Sequence, residues 1–232
     1  MNMQKFLNNI DQKLSAAIQV FWRTRSEGIQ SVRAGKHLDG FRELITDLLI
    51  AAGLDRKYIY WKNQTELPGW FRAEKSWDLL IIIDGQLIAV IELKSQVGSF
   101  GNNFNNRTEE ALGSATDLWS AYEAGAFYPS PRPWLGYFIL LEDADAAKQL
   151  IRVKEPHFKV FPDFQNASYL VRYEQLLIKL VRSRLYDAAC LLTSPQDQGQ
   201  AGIYHEPELE LSFRVFLGSL LGQVMAVLQT RD

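Results

Sequence analysis

Hydrophobic positions are densest in residues 77–94, with the sequence WDLLIIIDGQLIAVIELK. Two continuous apolar runs, 79–83 and 87–91, flank Asp84 and Gly85. Continuous apolar runs are typical of strands buried on both faces, and an Asp-Gly pair between two such runs is a strong hairpin signal. The stretch therefore predicts a buried two-stranded ribbon, around which we interpret the rest of the chain.

Elsewhere the apolar residues recur mainly at helical spacing. Helices are predicted over 1–35, 38–53, 169–192 and 207–229, and strands over 58–61 and 134–141. Another helix is predicted to begin after residue 105, with Asn106 or Thr108 as its N-cap. Residues 144–168 are predicted to be irregular, because prolines interrupt them and no periodicity runs through them.

Composition narrows the class of protein. The chain has 232 residues, of which 47% are hydrophobic and 22% charged, as in an ordinary globular protein with a sizeable core. The net charge of −2 requires any DNA-binding surface to be a local cationic patch. The single cysteine, Cys190, excludes an internal disulfide and a cysteine cluster for zinc, and its apolar helical surroundings favour the core. No secretory signal or membrane-spanning run is present, so we expect a cytosolic protein.

Three charged residues break the apolar pattern at the open end of the ribbon. Asp78 begins the first strand, and Glu92 and Lys94 lie near the end of the second. Two carboxylates and the intervening Leu93 carbonyl make an oxygen-rich site suited to Mg²⁺, and a lysine can polarise a water beside the ion. Such a set can hydrolyse a phosphodiester. The alternative is that both carboxylates only mark strand ends and that Lys94 is solvated.

The pairing register of the ribbon decides between these alternatives. A two-residue turn sets Asp78 opposite Ile91, and Glu92 then points to the other face. A three-residue loop over 83–85 sets Asp78 opposite Val90, so that Asp78 and Glu92 are diagonal neighbours on one face. We predict the three-residue loop or an equivalent bulge, because joint metal binding requires the shared face.

Polar and cationic residues that can contact DNA lie in two predicted loops. Arg23 and Arg25, with Arg33 and Lys36, occupy a Gly-containing loop over 21–36 and suit phosphate contacts; a solvated charged loop is the alternative. A second, Gly-broken loop follows the ribbon. Its candidates for reading bases are Gln96, Asn102, Asn103, Asn105, Asn106 and Arg107.

Two other features are open to more than one interpretation. Glu43 lies on a flank of the predicted helix over 38–53 and is a possible accessory acid for the metal site; a solvent-facing position is the alternative. Trp70, Phe71 and Arg72 mix aromatic and cationic side chains, in either a DNA-facing loop or a packed one.

The stretch IELKSQVGSFGNNFNNRTEEALGSATDLW resembles the XhoI-type restriction endonucleases, a branch of the PD-(D/E)xK nucleases. The similarity extends to FWRTR at 21–25, the helix at 39–53, ELPGWFR at 66–72, EKSWDLLIIIDGQLIAVIELK at 74–94 and PWLGYFILLED at 133–143. The resemblance implies an α/β fold with a PD-(D/E)xK core, in which a mixed central sheet is flanked by helices.

The resemblance also implies an activity. Such enzymes are homodimeric, Mg²⁺-dependent type II restriction endonucleases that cut both strands of double-stranded DNA at CTCGAG, in the cytoplasm of a prokaryotic cell that carries a separate cognate DNA methyltransferase. By motif position Asp78 and Glu92 are metal ligands and Lys94 is the catalytic lysine. Water would attack the phosphorus in line and leave a 5′-phosphate.

We expect one nuclease domain over 1–232, comprising N-terminal helices (1–55), a catalytic core (56–145) and a C-terminal helical part (146–232). Two alternatives to a restriction enzyme share the same superfamily fold: a repair or recombination nuclease, and a DNA-binding protein without catalysis. The intact D…ExK set favours an enzyme, and the asparagine-rich stretch favours site-specific cutting.

Overall fold

The fold is described for residues 3–27 and 35–230 of a computed structural model. The helices are α1 (Met3–Asn8), α2 (Ile10–Ser26), α3 (Asp39–Ala51), α4 (Phe100–Glu123), α5 (Asp145–Lys148), α6 (Tyr169–Arg182), α7 (Gln196–Gly199) and α8 (Phe213–Gln229). The strands are β1 (Ile59–Tyr60), β2 (Glu66–Pro68), β3 (Glu74–Ser76), β4 (Leu79–Ile83), β5 (Gln86–Gln96), β6 (Trp134–Glu142) and β7 (Ala188–Ser194).

A mixed five-stranded sheet in the order β1-β4-β5-β6-β7 forms the centre. β1, β4 and β5 pair antiparallel, whereas β5, β6 and β7 pair parallel. Parallel neighbours need a crossover, and α4 provides it between β5 and β6. β2 and β3 form a separate two-stranded sheet, here called the accessory hairpin.

Helices cover both faces of the central sheet. On one face the apolar side chains of α1, α2, α3 and α8 pack against alternate residues of the strands. On the other face α4 and α6 do so. Because both faces are covered, the strands carry continuous apolar sequence rather than alternation, and β4 and β5 are buried as predicted.

The turn of the ribbon has two residues, so the predicted three-residue loop is wrong. Asp84 and Gly85 have φ angles of 47° and 80°, and positive φ at both central positions is what a type I′ turn requires. Ile83 accordingly pairs with Gln86. A side chain with positive φ is costly except in residues such as Asp and Asn, which explains the Asp-Gly sequence.

A β-bulge then moves the register to the position that the site needs. Ile82 pairs with Leu87 but Ile81 with Ala89, so that Ile88 is an extra residue on β5. Beyond the bulge Leu79 pairs with Ile91, and the same register carried one residue further sets Asp78 opposite Glu92. The ribbon therefore contains the bulge that was the alternative to the loop, and Asp78 is level with Glu92 rather than diagonal to it.

The N-terminal prediction is wrong in detail. The predicted helix over 1–35 is two helices, α1 and α2, and the second ends at Ser26. Arg23 and Arg25 therefore lie in the last turns of α2 and not in a loop. Arg33, from the same predicted loop, lies outside the described residues.

The helix predicted over 169–192 is also wrong in its second half. α6 ends at Arg182, and residues 188–194 form β7, which pairs with β6. Cys190 is buried in this strand and not in a helix. The last helix begins at Phe213 rather than at 207.

Within residues 3–27 and 35–230, none of the helices combines the length and the apolar character that crossing a bilayer demands.

Candidate metal and DNA-cleavage site

Asp78 is anchored to the strand that carries Glu92. It immediately precedes β4, and its Oδ2 accepts a hydrogen bond of 2.8 Å from the backbone N–H of Leu93. Burial first, and then the negative charge of Glu92, raise the pKa of the Asp78 carboxyl above its ordinary value of 3.8. The effect of Glu92 on this pKa shows that the two carboxylates interact.

Arg42 of α3 also holds Asp78. One of its Nη atoms donates a hydrogen bond to Asp78 Oδ1. The other donates to the Gly35 carbonyl at 3.0 Å and to Asp39 at 2.7 Å. The sequence analysis missed Arg42. A signal was present, because Arg42 occupies the apolar stripe of α3, four residues after Leu38 and on the face that packs against the sheet.

Glu92 is only 3% exposed and is held by two lysines. Lys75 of the accessory hairpin places Nζ 2.9 Å from Oε2, and Lys94 is bonded to Oε1. Burial by itself raises the pKa of a carboxyl, but the charges of Lys94 and Lys75 outweigh burial and keep the pKa of Glu92 below 4.5. The protein therefore keeps this buried carboxylate ionised.

Lys94 stays an ammonium for the reciprocal reason. Burial lowers the pKa of an amine, but the Glu92 carboxylate outweighs that effect and raises the pKa of Lys94 above 10.5. Period 2 along β5 places Lys94 on the same side as Glu92, as the sequence predicts. In the metal-free protein Lys94 is therefore an ammonium that can donate to water or phosphate.

Asp78, Arg42 and Lys94 border a polar cavity of about 460 Å³, whereas Glu92 and Lys75 lie outside its lining. Four cationic side chains line the cavity, those of Arg25, Arg42, Lys94 and Arg107, together with His37. Nδ1 of His37 and Nε of Arg42 and Arg107 are buried with no hydrogen-bond partner among the described residues. The four cationic side chains that line the cavity suit an anion such as a phosphodiester.

His37 contributes to this cavity as a neutral ring. Its Nε2 lies 3.0 Å from Ser95 Oγ, and burial first, then the charges of Arg25 and Arg42, lower the pKa of His37 to about 4. Its spatial neighbours come from α2, α3 and β5, which sequence spacing alone does not bring together.

The predicted asparagine-rich loop is a helix, because α4 already begins at Phe100. Of the predicted base-reading residues on it, Asn103 and Arg107 line the cavity, and Arg107 also pairs with Glu110. Asn102, Asn105 and Asn106 are exposed on the same helix.

The other predicted contacts divide between the cavity and the outside. Gln96, the last residue of β5, is buried beside the cavity, and its side-chain amide donates a hydrogen bond to the Gly98 carbonyl. Arg25 lines the cavity, whereas Arg23 is exposed on α2. Glu43 is exposed on α3, and the residue of that helix that reaches Asp78 is its neighbour Arg42.

The tip of the accessory hairpin is not packed. Trp70 and Phe71 are 60% and 71% exposed. Their backbone N–H groups donate to Asp117 of α4 at 2.8 and 2.7 Å, and Arg72 pairs with the same carboxylate. The aromatic pair is therefore held in a fixed position with its rings in solvent.

The donor chemistry of the site suits one class of metal ion. No cluster of three or more His, Cys, Asp or Glu side chains able to hold a metal occurs in the described part of the chain. The predicted site offers instead the carboxylates of Asp78 and Glu92, and a hard divalent cation prefers oxygen donors of this kind.

Comparisons with known proteins agree with this chemistry. The model of the family "Restriction endonuclease XhoI" matches residues 23–206. The chain is 48% identical to the type II restriction enzyme BstVI of Geobacillus stearothermophilus over 200 residues, which cover 84% of this chain and 89% of that protein. No solved structure matches significantly.

Two other curated relatives carry the same description. The type II restriction enzyme AbrI of Azospirillum brasilense is 44% identical over 168 residues, which cover 66% of this chain and 76% of that protein. The type II restriction enzyme XhoI of Xanthomonas vasicola is 40% identical over 190 residues, covering 75% and 77%. These similarities favour a restriction enzyme over a repair nuclease or an inert DNA-binding module. The chain belongs to the XhoI family of restriction endonucleases and is a type II restriction enzyme.

Proposed function

We propose that this enzyme cuts double-stranded DNA at the palindrome CTCGAG, using Mg²⁺ held by Asp78, Glu92 and the Leu93 carbonyl on a PD-(D/E)xK core. The observation that carries the proposal is the register of the ribbon. The bulge between β4 and β5 sets Asp78 opposite Glu92, with Lys94 two residues further along the same strand.

The carboxylates fit a divalent cation by charge and by donor type. Asp78 borders the cavity and keeps one oxygen on the Leu93 N–H, while Glu92 is kept ionised by its lysines. Mg²⁺ bound here supplies an activated water and neutralises charge that develops on the phosphate. Asp78 and Glu92 are then metal ligands, as their sequence motif implies.

The chain's own cations orient the DNA. Arg25 of α2, which lines the cavity, binds a phosphate oxygen next to the scissile bond. Lys94 remains charged and donates to the attacking water or to the phosphate oxygen. Arg42 fixes the orientation of Asp78. In-line attack by water on phosphorus breaks the bond to the 3′-oxygen and leaves a 5′-phosphate and a 3′-hydroxyl.

Base reading and assembly follow from the palindrome. We place base contacts on the exposed N-terminal half of α4, through Asn102, Asn103, Asn105, Asn106 and Arg107. Arg23 and Gln96 support the same DNA segment. A palindrome presents the same half-site twice, so a two-fold homodimer brings one site to each strand.

In this proposal residues 1–232 act as one nuclease domain in which the C-terminal part adds β7 to the catalytic sheet. A cognate DNA methyltransferase protects the host sequence. Glu43 remains a possible accessory acid only if α3 shifts, because Arg42 occupies the position facing Asp78.

One digest tests the proposal. Plasmid DNA with a single CTCGAG site is incubated with the enzyme and Mg²⁺, and the ends are sequenced. We expect one double-strand break within the site, carrying 5′-phosphates, and no cleavage in EDTA. Cleavage at a different sequence contradicts the proposed target, and full activity in EDTA contradicts the metal site.

A further inference from the structure

Lys75 is a second ammonium at the carboxylate of Glu92. It comes from β3 of the accessory hairpin, not from the D…ExK motif. Its Nζ lies 2.9 Å from Glu92 Oε2 and 4.2 Å from the centre of the Trp77 ring. The Lys75 side chain is only 14% exposed, so water screens this contact weakly.

Two ammonium groups, those of Lys75 and Lys94, contact the single carboxylate of Glu92. Arg42, by contrast, is shared between the carboxylates of Asp78 and Asp39. Around Glu92 itself one positive charge is therefore in excess before any metal binds. A divalent cation adds two more positive charges, and repulsion between like charges at a few ångströms is strong in a partly buried site.

The oxygens of Glu92 are also both engaged. Lys94 is bonded to Oε1 and Lys75 to Oε2. A cation that binds Glu92 has to share or replace one of these contacts. Lys94 is fixed on the central strand β5, whereas Lys75 belongs to a two-stranded sheet outside the central sheet. Lys75 is therefore the contact that can be released while the central sheet stays in place.

We propose that Lys75 is a positioning residue that holds Glu92 in the metal-free enzyme and keeps divalent-metal affinity low until a DNA phosphate enters. The inference rests on the proposed function, because it takes Glu92 as a metal ligand. A phosphate in the adjoining cavity brings negative charge that offsets the excess. Metal and DNA then bind cooperatively, and each strengthens the other by the same factor.

The test is Mn²⁺ binding to the DNA-free protein, measured by electron paramagnetic resonance of the free ion. Lys75→Met removes the charge and frees Oε2, so we expect Mn²⁺ to bind at least about tenfold more tightly than to the wild type. Lys75→Arg keeps the charge and is expected to restore weak binding. The matched control is Lys62→Met, since Lys62 is exposed and lies 4.6 Å from the centre of the Trp61 ring.

Glu92→Gln separates the two possible failures. If Glu92→Gln abolishes Mn²⁺ binding while Lys75→Met leaves it at the wild-type value, the role of Lys75 is wrong and the metal site stands. If Glu92→Gln binds Mn²⁺ like the wild type, the proposed metal site itself is wrong. A second readout is the Mg²⁺ concentration for half-maximal cleavage, which we expect Lys75→Met, but not Lys62→Met, to lower.

Discussion

The two carboxylates of the site face each other across one ribbon but lie in different surroundings. Glu92 is enclosed, and two lysines keep its pKa below the ordinary value. Asp78 borders the cavity, and burial together with the charge of Glu92 raises its pKa despite Arg42. Two lysines thus compensate the charge of Glu92, whereas Arg42, which is shared with Asp39, compensates that of Asp78 in part.

This difference separates two roles within the proposed metal site. Glu92 is part of the internal ion-pair network, so its removal affects the fold as well as the chemistry. Asp78 borders the cavity and pairs with Arg42, which Asp39 shares, so we expect its removal to affect the chemistry far more than the fold. Substitutions at the two positions therefore test the comparison directly.

The largest expected effect is on cleavage. We expect Asp78→Asn and Glu92→Gln each to lower the cleavage rate by about a thousandfold or more, because each removes a charged metal ligand. Rates are measured on a plasmid with one site, and DNA binding is measured by gel shift. Binding should survive in Asp78→Asn, and a variant that cuts at the wild-type rate rules that residue out as a ligand.

The next effect concerns Lys94. We expect Lys94→Ala to lower the single-turnover cleavage rate by about a hundredfold, with DNA affinity changed far less, because the ammonium acts on the reacting phosphate. Lys62→Ala serves as the control for loss of one surface charge. An equal loss of affinity and rate in Lys94→Ala instead describes a residue that only binds DNA.

We expect Glu92→Gln and Asp78→Asn to have different effects on the free energy of unfolding. Glu92→Gln leaves two partly buried ammonium groups without a counterion, so we expect a loss of about 3 kcal/mol in the free energy of unfolding. Asp78→Asn removes a charge whose pKa is raised by the fold, so we expect no loss or a small gain at neutral pH. Urea unfolding of metal-free protein measures both.

The pH dependence of folding stability follows from the directions of the two pKa shifts. The folded pKa of Glu92 is depressed, so its stabilisation is present above pH 4.5 and is lost as the pH falls through the folded value. The folded pKa of Asp78 is raised above 3.8, so the fold favours its neutral form, and the penalty of its charge disappears as the pH falls. The difference between Asp78→Asn and wild type should therefore shrink at acid pH. Equal pH profiles for both variants contradict the comparison.

The smallest effect is expected at Arg107. If it reads a base, Arg107→Ala weakens binding to the specific site by about 1–3 kcal/mol and leaves binding to other sequences nearly unchanged. Lys62→Ala, at an exposed position outside the cavity lining, is the control. An equal loss on every sequence makes Arg107 a phosphate contact instead.

The ribbon was predictable from sequence because its determinants are local. Two apolar runs and the Asp-Gly turn specify β4 and β5 without help from distant residues. The bulge at Ile88 was not predictable in place, since the sequence around it is uniformly apolar. That Asp78 and Glu92 lie on one face of the ribbon was thus predicted from the needs of metal binding. In the structure a bulge in β5, and not the three-residue loop that we expected, sets this register.

Tertiary packing explains the errors elsewhere. Phe100 and Phe104 pack against Tyr169 and Tyr173, which extends α4 upstream over a stretch that reads as a turn. β7 is a short apolar run buried on both faces, and periodicity cannot distinguish such a strand from a continued helix.

Arg42, Lys75 and His37 reach the site from separate elements. Each is an ordinary residue within its own segment, and only the fold brings it to the carboxylates or the cavity. The sequence motif therefore pointed to the two acids and to Lys94, but not to Arg42 and Lys75, which form ion pairs with those acids.

The most direct test of the account is an anomalous diffraction measurement on crystals soaked in Mn²⁺. We expect a peak within metal–oxygen bonding distance, about 2.0–2.4 Å, of one carboxylate oxygen of Asp78 and one of Glu92. A peak bonded to only one of the two acids, or located away from both, contradicts the claim that they hold one cation jointly.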